Sequence, residues 1–155
     1  MPRISVFSLL SHACRRSALS PLHPPEASHL ESRCSSTAIC AVSSICSAIC
    51  SAATAEAIAA GEGDRGVLLC GTGIGMSLAA NKVKGAYAAL ISDVYSAQRA
   101  VLSNNANIAC IGAFTVGEKL AVELLKTWLS AEFDPNCASA PKVARYKSYD
   151  EARGA

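Results

Sequence analysis

Apolar and polar positions alternate most clearly in residues 116–129. Val116, Leu120, Leu124 and Trp128 recur every four residues there, Ala121, Leu125 and Leu129 widen the stripe, and Glu118, Lys119, Glu123 and Lys126 fall on the opposite side. This spacing predicts a long helix with one face on a core. Upstream, short apolar runs alternate with capped segments. Val67 to Leu69, Ala86 to Ile91 and Asn107 to Ile111 read as strands, and Asp93 is placed to cap a helix over Val94 to Leu102. Residues 53–60, Ala-Thr-Ala-Glu-Ala-Ile-Ala-Ala, have high helix propensity, with Gly61 placed to end the helix. Strands alternating with helices predict an α/β fold, a Rossmann-like parallel sheet with helices on both faces and ligands beyond the carboxyl ends of the strands.

The pattern weakens toward the start. Ile4, Val6 and Phe7 suit a strand, but Pro21, Pro24 and Pro25 break the next stretch, and no period survives to residue 37. Residues 37–51 are almost entirely Ala, Ser, Ile, Val and Cys, which suits either a buried helix or a merely biased segment. Arg3, Arg15 and Arg16, several serines and the lack of an acid before Glu26 match the composition of a mitochondrial transit peptide. A disordered or misassigned start fits the same text.

The chain is organised around residues 66–75, Gly-Val-Leu-Leu-Cys-Gly-Thr-Gly-Ile-Gly. A buried strand ending at Cys70 breaks into alternating glycines and opens a helix through Met76, Leu78, Ala79 and Ala80. Successive backbone N–H groups in such a turn attract negative charge and favour the ionised form of a thiol held there. Three glycine motifs fail against this stretch. Gly71, Gly73 and Gly75 give G-x-G-x-G where a dinucleotide fingerprint needs G-x-G-x-x-G, no Gly-Lys-Ser/Thr is present, and Met76 stands where a cysteine phosphatase needs arginine. Cys70 is left as a base, a nucleophile or a small buried filler.

Composition narrows the ligand. With 155 residues, 51% hydrophobic and 17% charged, the chain is long enough for one domain with a real core. A net charge of +2 provides no field for nucleic acid, and no apolar run approaches the roughly 20 residues that a membrane span needs. A small-molecule ligand is expected. Cys14, Cys34, Cys40, Cys46 and Cys50 crowd the first third, but their spacing matches no C-x2-C zinc pair, so no metal is expected.

Taken with Ala-Ala-Asn-Lys (79–82), Asp-Val-Tyr-Ser-Ala (93–97) and Asn-Asn-Ala-Asn (104–107), the loop Cys-Gly-Thr-Gly-Ile-Gly (70–75) resembles the family of ribose-5-phosphate isomerase B and galactose-6-phosphate isomerase. The likeness runs from about residue 53 to about 149, which divides the chain into an atypical segment 1–52, an isomerase domain 53–149 and a tail 150–155. It implies a cytoplasmic homodimer without metal or cofactor that isomerises a small phosphorylated sugar through a cis-enediolate. Cys70 would carry the proton and the Thr72 hydroxyl would relay one. N–H groups of Gly71, Gly73, Ile74 and Gly75 would hold the enediolate oxygens, Asn104 would bind sugar hydroxyls and Lys142 the phosphate.

Departures from the family pattern sharpen the substrate. Ser103 stands where ribose-phosphate isomerases carry the histidine that opens a furanose ring, and Leu-Ser-Asn-Asn-Ala (102–106) looks more like the branch acting on tetrose phosphates such as D-erythrulose 4-phosphate. A tetrose 4-phosphate cannot close a furanose ring, so a serine would suffice in the substrate-binding position. The family's arginine after Ile111-Gly112 is replaced by Phe114, and its opening strand with an Asp-His or Asp-Asp pair is not recognisable in residues 1–52. If Ile4 to Leu9 does not replace that strand, its neighbours expose apolar faces. A shifted reading frame would produce such a break at Ala52. Two other readings stay open: a catalytically silent sugar-phosphate-binding relative or partner subunit, and a redox or metal-binding protein using the N-terminal thiols.

Overall fold

A computed structural model describes residues 4–8 and 44–152, with side chains from Cys50 onward. The Arg- and Ser-rich opening and Cys14, Cys34 and Cys40 lie outside the described residues, as does the side chain of Cys46. The elements in order are β1 (Ile4–Ser8), α1 (Ser44–Ala59), β2 (Arg65–Cys70), α2 (Ile74–Ala80), β3 (Ala88–Leu90), α3 (Val94–Leu102), β4 (Ile108–Gly112), α4 (Glu118–Ser130) and α5 (Ala140–Ala152).

The strands form one parallel sheet in the order β1-β2-β4-β3. β1 does take the place beside β2, in register from Ile4 against Arg65 to Ser8 against Leu69. β2 and β4 lie in the middle and read as nearly unbroken apolar runs because both of their faces are covered. Val67, Ala109 and Ile111 face α3 and α4, where they meet Ala97, Val101, Leu124 and Trp128. Leu68, Ile108 and Cys110 face the other way, onto Ala55 and Ile58 of α1 and Met76 and Ala80 of α2. The alternation of side chains along each strand thus makes three layers with two cores.

Several elements differ from expectation for physical reasons. α1 starts at Ser44, nine residues before the segment of high helix propensity, and is seated by the buried Ser51 hydroxyl donating to the Met76 carbonyl at 2.6 Å. β3 is only three residues long. Asn107 draws the preceding backbone aside, accepting from the Tyr87 N–H at 2.8 Å and donating to the Gly85 carbonyl at 2.8 Å. The Asn81 amide then closes the edge of β3, accepting from the Ala88 N–H at 2.9 Å and donating to its carbonyl at 2.8 Å. Along the stripe, Val116, Leu124 and Trp128 are buried and Ala121 packs against them, but Leu120 is 41% exposed, so the contact with the core is interrupted in the first turn of α4. α5 was not expected.

α4 is tied down by Arg65. Its guanidinium donates to the carbonyls of Trp128 at 2.5 Å and Ala131 at 2.6 Å and lies 4.9 Å from the Trp128 ring. Burial lowers the Arg65 pKa from its ordinary value, and the nearby Glu132 partly opposes that shift.

Candidate active site

The cysteine loop sits where the two central strands end. Cys70 is the last residue of β2 and pairs with Gly112, the last of β4. The chain then turns sharply through Gly73, which has φ +78° and would bring a Cβ against Leu90 and within 3.1 Å of the Gly112 nitrogen and Ile111 carbonyl carbon. Only glycine meets both demands.

Two further hydrogen bonds lock the loop to the segment after β4. The Ala113 N–H donates to the Cys70 carbonyl at 2.7 Å and the Phe114 N–H to the Gly71 carbonyl at 2.9 Å. Gly112 lets the two strands meet, since a Cβ there would lie 2.7 Å from the Thr72 carbonyl group and against the Thr115 hydroxyl.

The Cys70 side chain is half-buried and turns toward the face that carries α1 and α2. Its sulfur accepts a hydrogen bond from the Gly73 N–H at 3.1 Å, and the Thr72 hydroxyl accepts one from the Ile74 N–H at 3.4 Å. Two of the four expected oxyanion donors are therefore engaged inside the loop. Among the described residues, the N–H groups of Gly71, Thr72 and Gly75 meet no acceptor. Thr72 N–H was not among the donors read from the sequence. The other thiol nearby cannot compete as a base. Cys110 is fully buried, and burial, with a smaller push from Cys70, raises its thiol to about 12 despite an opposing hydrogen bond from Ser77.

Ser103, Asn104 and Lys142 lie elsewhere. α3 carries the chain from the carboxyl end of the sheet back to its amino end, so Ser103 and Asn104 precede β4 while Gly112 ends it. The rise of β4 alone separates the two groups by about 13 Å. The Asn104 carboxamide donates to the Arg99 carbonyl at 3.0 Å, and its own backbone carbonyl accepts from the Tyr146 hydroxyl of α5. The Ser103 hydroxyl is shut in without a partner among the described residues. Lys142 is exposed in the first turn of α5. A cavity of about 430 Å³ opens at this amino end, lined by Tyr87, Asn104, Tyr146 and Asp150 among others. It holds none of the loop residues, and it lacks a thiol, whereas the loop combines a thiol with N–H groups that meet no acceptor among the described residues.

Among the described residues no group of three or more His, Cys, Asp or Glu side chains could hold a metal ion, and no helix is long and apolar enough to cross a membrane.

Comparison with known proteins gives this geometry a context. The profile of a family described as Ribose/Galactose Isomerase matches residues 37–145, starting 16 residues before the expected domain boundary. The chain is similar to D-erythrulose-4-phosphate isomerase 2 of Mycolicibacterium smegmatis, with 55% identity over 100 residues that cover 64% of this chain and 66% of that protein. It is also similar to ribose-5-phosphate isomerase B of Escherichia coli, with 44% identity over 80 residues, 52% of this chain and 54% of the relative. The matched stretch thus spans somewhat less than two thirds of these relatives. Among solved structures, type B ribose 5-phosphate isomerase of Leishmania infantum superposes with a TM-score of 0.74 at 32% identity, covering 99% of each chain.

Proposed function

This chain belongs to the ribose/galactose isomerase family, and from that premise we propose that it interconverts the aldose and ketose forms of a small phosphorylated sugar, with Cys70 as the proton carrier. The observation that carries the proposal is the Cys70 sulfur, half-buried at the carboxyl end of β2 in a loop whose Gly71, Thr72 and Gly75 N–H groups meet no acceptor among the described residues. The thiolate takes the proton from the carbon next to the carbonyl. The electron pair left behind moves into a carbon–carbon double bond, the carbonyl oxygen becomes an oxyanion, and the loop N–H groups receive that charge. The proton then returns to the neighbouring carbon, and the Thr72 hydroxyl passes a proton between the two oxygens. Atoms and charge balance without an added oxidant or reductant.

A tetrose 4-phosphate suits this chain better than a ribose 5-phosphate. It needs no acid to open a furanose ring, and Ser103 offers none. Residues at the amino end join the reaction if a second copy brings its Asn104 and Lys142 to the loop. The surface around the loop suits such a homodimer, because Ile74, Leu90 and Tyr95 expose 52%, 44% and 73% of their area there. We assign the enzyme to the cytoplasm on its likeness to the bacterial sugar-phosphate isomerases.

Turnover of D-erythrulose 4-phosphate and ribose 5-phosphate, measured together with solvent deuterium uptake, tests this. The wild-type chain should exchange deuterium into the sugar, and Cys70→Ala should lower kcat by about 10³-fold with folding unchanged. Mixing Cys70→Ala with Asn104→Ala should restore about a quarter of the activity if each site uses two subunits. Binding of the sugar phosphate with no turnover by the wild type would favour the silent relative instead.

A further inference from the structure

Phe114 is the most exposed large apolar side chain described, 86% accessible, yet it is not loosely held. Its N–H donates to the Gly71 carbonyl at 2.9 Å, and the preceding Ala113 N–H to the Cys70 carbonyl at 2.7 Å, so its backbone is pinned to the cysteine loop. The ring lies across Gly71: a Cβ built on that glycine would be 2.9 Å from Cε2 and 3.0 Å from Cδ2 of the ring. A rigidly based phenyl group therefore stands over the glycine that follows the reacting cysteine, with most of its surface free.

We propose that Phe114 is a specificity-determining residue, the apolar wall against which the carbon chain of the substrate lies; this rests on the isomerase function proposed above. The loop N–H groups take oxygen atoms, and the ring offers carbon only. Its π face carries partial negative charge, which receives C–H groups and repels a phosphate dianion. A substrate with its carbonyl on the loop must send its phosphate away from Phe114. The wall favours a short, open-chain sugar phosphate whose C–H edge fits the ring and disfavours a longer one whose charged end would fold back over it. A contact of this kind supports roughly tenfold discrimination.

The test is kcat and KM of wild type, Phe114→Leu, Phe114→Ala and Phe114→Arg on D-erythrulose 4-phosphate and ribose 5-phosphate, with sedimentation recording the assembly state. Phe114→Ala should lower kcat/KM for the tetrose phosphate about tenfold, chiefly through KM, and narrow its advantage over the pentose phosphate at least fivefold. Phe114→Leu should keep most of the preference, and Phe114→Arg should shift it toward the pentose phosphate by giving the phosphate a cation. Preference ratios within twofold of wild type in all three variants overturn the proposal while leaving the isomerase reading intact. Equal loss on both substrates with dissociation of the assembly also overturns it, because Phe114 would then be an interface residue. A wild type inactive on both sugars overturns both readings together.

Discussion

Replacing Gly112 by alanine is the sharpest test of whether the cysteine loop is held in a working position by its contact with β4. The new Cβ would lie 2.7 Å from both the carbon and the oxygen of the Thr72 carbonyl, where ordinary van der Waals contact begins near 3.4 Å. Thr72 must therefore retreat by about 0.7 Å, because its backbone is not the yielding end of a flexible side chain. The Thr115 hydroxyl, which donates to the Gly112 carbonyl at 3.1 Å, is crowded by the same methyl group. Overpacking of this kind costs about 1–3 kcal/mol, which lowers Tm by about 3–10 °C in a chain of this size. The catalytic cost should be larger. Displacing the loop moves the Gly71 and Thr72 N–H groups relative to the Cys70 sulfur, and a misplacement near 1 Å costs on the order of 100-fold in rate. Thermal melting and steady-state turnover on D-erythrulose 4-phosphate measure the two effects separately. If Gly112→Ala keeps kcat/KM within threefold of wild type, the loop is not positioned by β4 and the geometric account of the site is wrong.

Gly75 provides the opposite case: a Cβ there meets nothing within 4 Å, so Gly75→Ala in the first turn of α2 should keep or slightly raise Tm, by about 0.5–1 kcal/mol in stability, while raising KM if the substrate approaches over that glycine. Unchanged KM would mean the ligand lies elsewhere on the loop. Arg65→Ala removes two charge-assisted hydrogen bonds to the end of α4 and the contact with Trp128, and should cost about 2–4 kcal/mol in chemical unfolding with turnover per folded molecule retained. A loss under 0.5 kcal/mol would contradict the role given to Arg65. Asp93 caps α3, accepting from the Ser96 N–H at 2.7 Å and hydroxyl at 2.5 Å, and these bonds hold its carboxyl below the ordinary 3.8. Its folded pKa being depressed, the stabilisation is present above the unfolded value and lost as pH falls through the folded one. The Tm difference between wild type and Asp93→Ala should therefore shrink below about pH 4; a difference constant from pH 7 to pH 3 would sink this assignment.

Legibility in the amino-acid sequence depends on how much of each segment meets the core. α3 was readable to the residue because Asp93 marks its start and Ala97, Ala100 and Val101 mark one buried face. The cysteine loop was readable because three glycines at alternate positions suit neither a helix nor a strand interior. α5 was not, since Val143 is its only buried residue and the rest, from Lys142 to Glu151, shows no apolar period. α1 hid its first turns in a run of Ala, Ser, Ile and Cys that has no polar face to contrast with an apolar one. Phe114 was legible only as a phenylalanine in place of the family's arginine, with nothing in the neighbouring residues to show its contact with the cysteine loop. Its importance comes from lying on Gly71, 43 positions earlier in the chain, a proximity created by the pairing of β2 with β4.

The division of the candidate site between two ends of the sheet was in principle legible too, and it constrains function most. In a parallel sheet each crossover helix begins at the carboxyl edge and ends at the amino edge, so a residue between the helix and the next strand must lie a strand's length from the residues that end the strands. Ser103 and Asn104 come after α3 and precede β4; Cys70 and Gly112 end β2 and β4. No rotamer change inside one chain crosses about 13 Å of packed sheet. A reaction that needs both groups therefore needs two molecules, whereas a reaction that needs only the loop runs in one. Dilution followed by sedimentation separates the alternatives: activity per chain that falls as an assembled form dissociates requires the shared site, and activity retained by the single chain assigns the chemistry to Cys70, Thr72 and Phe114 within one copy.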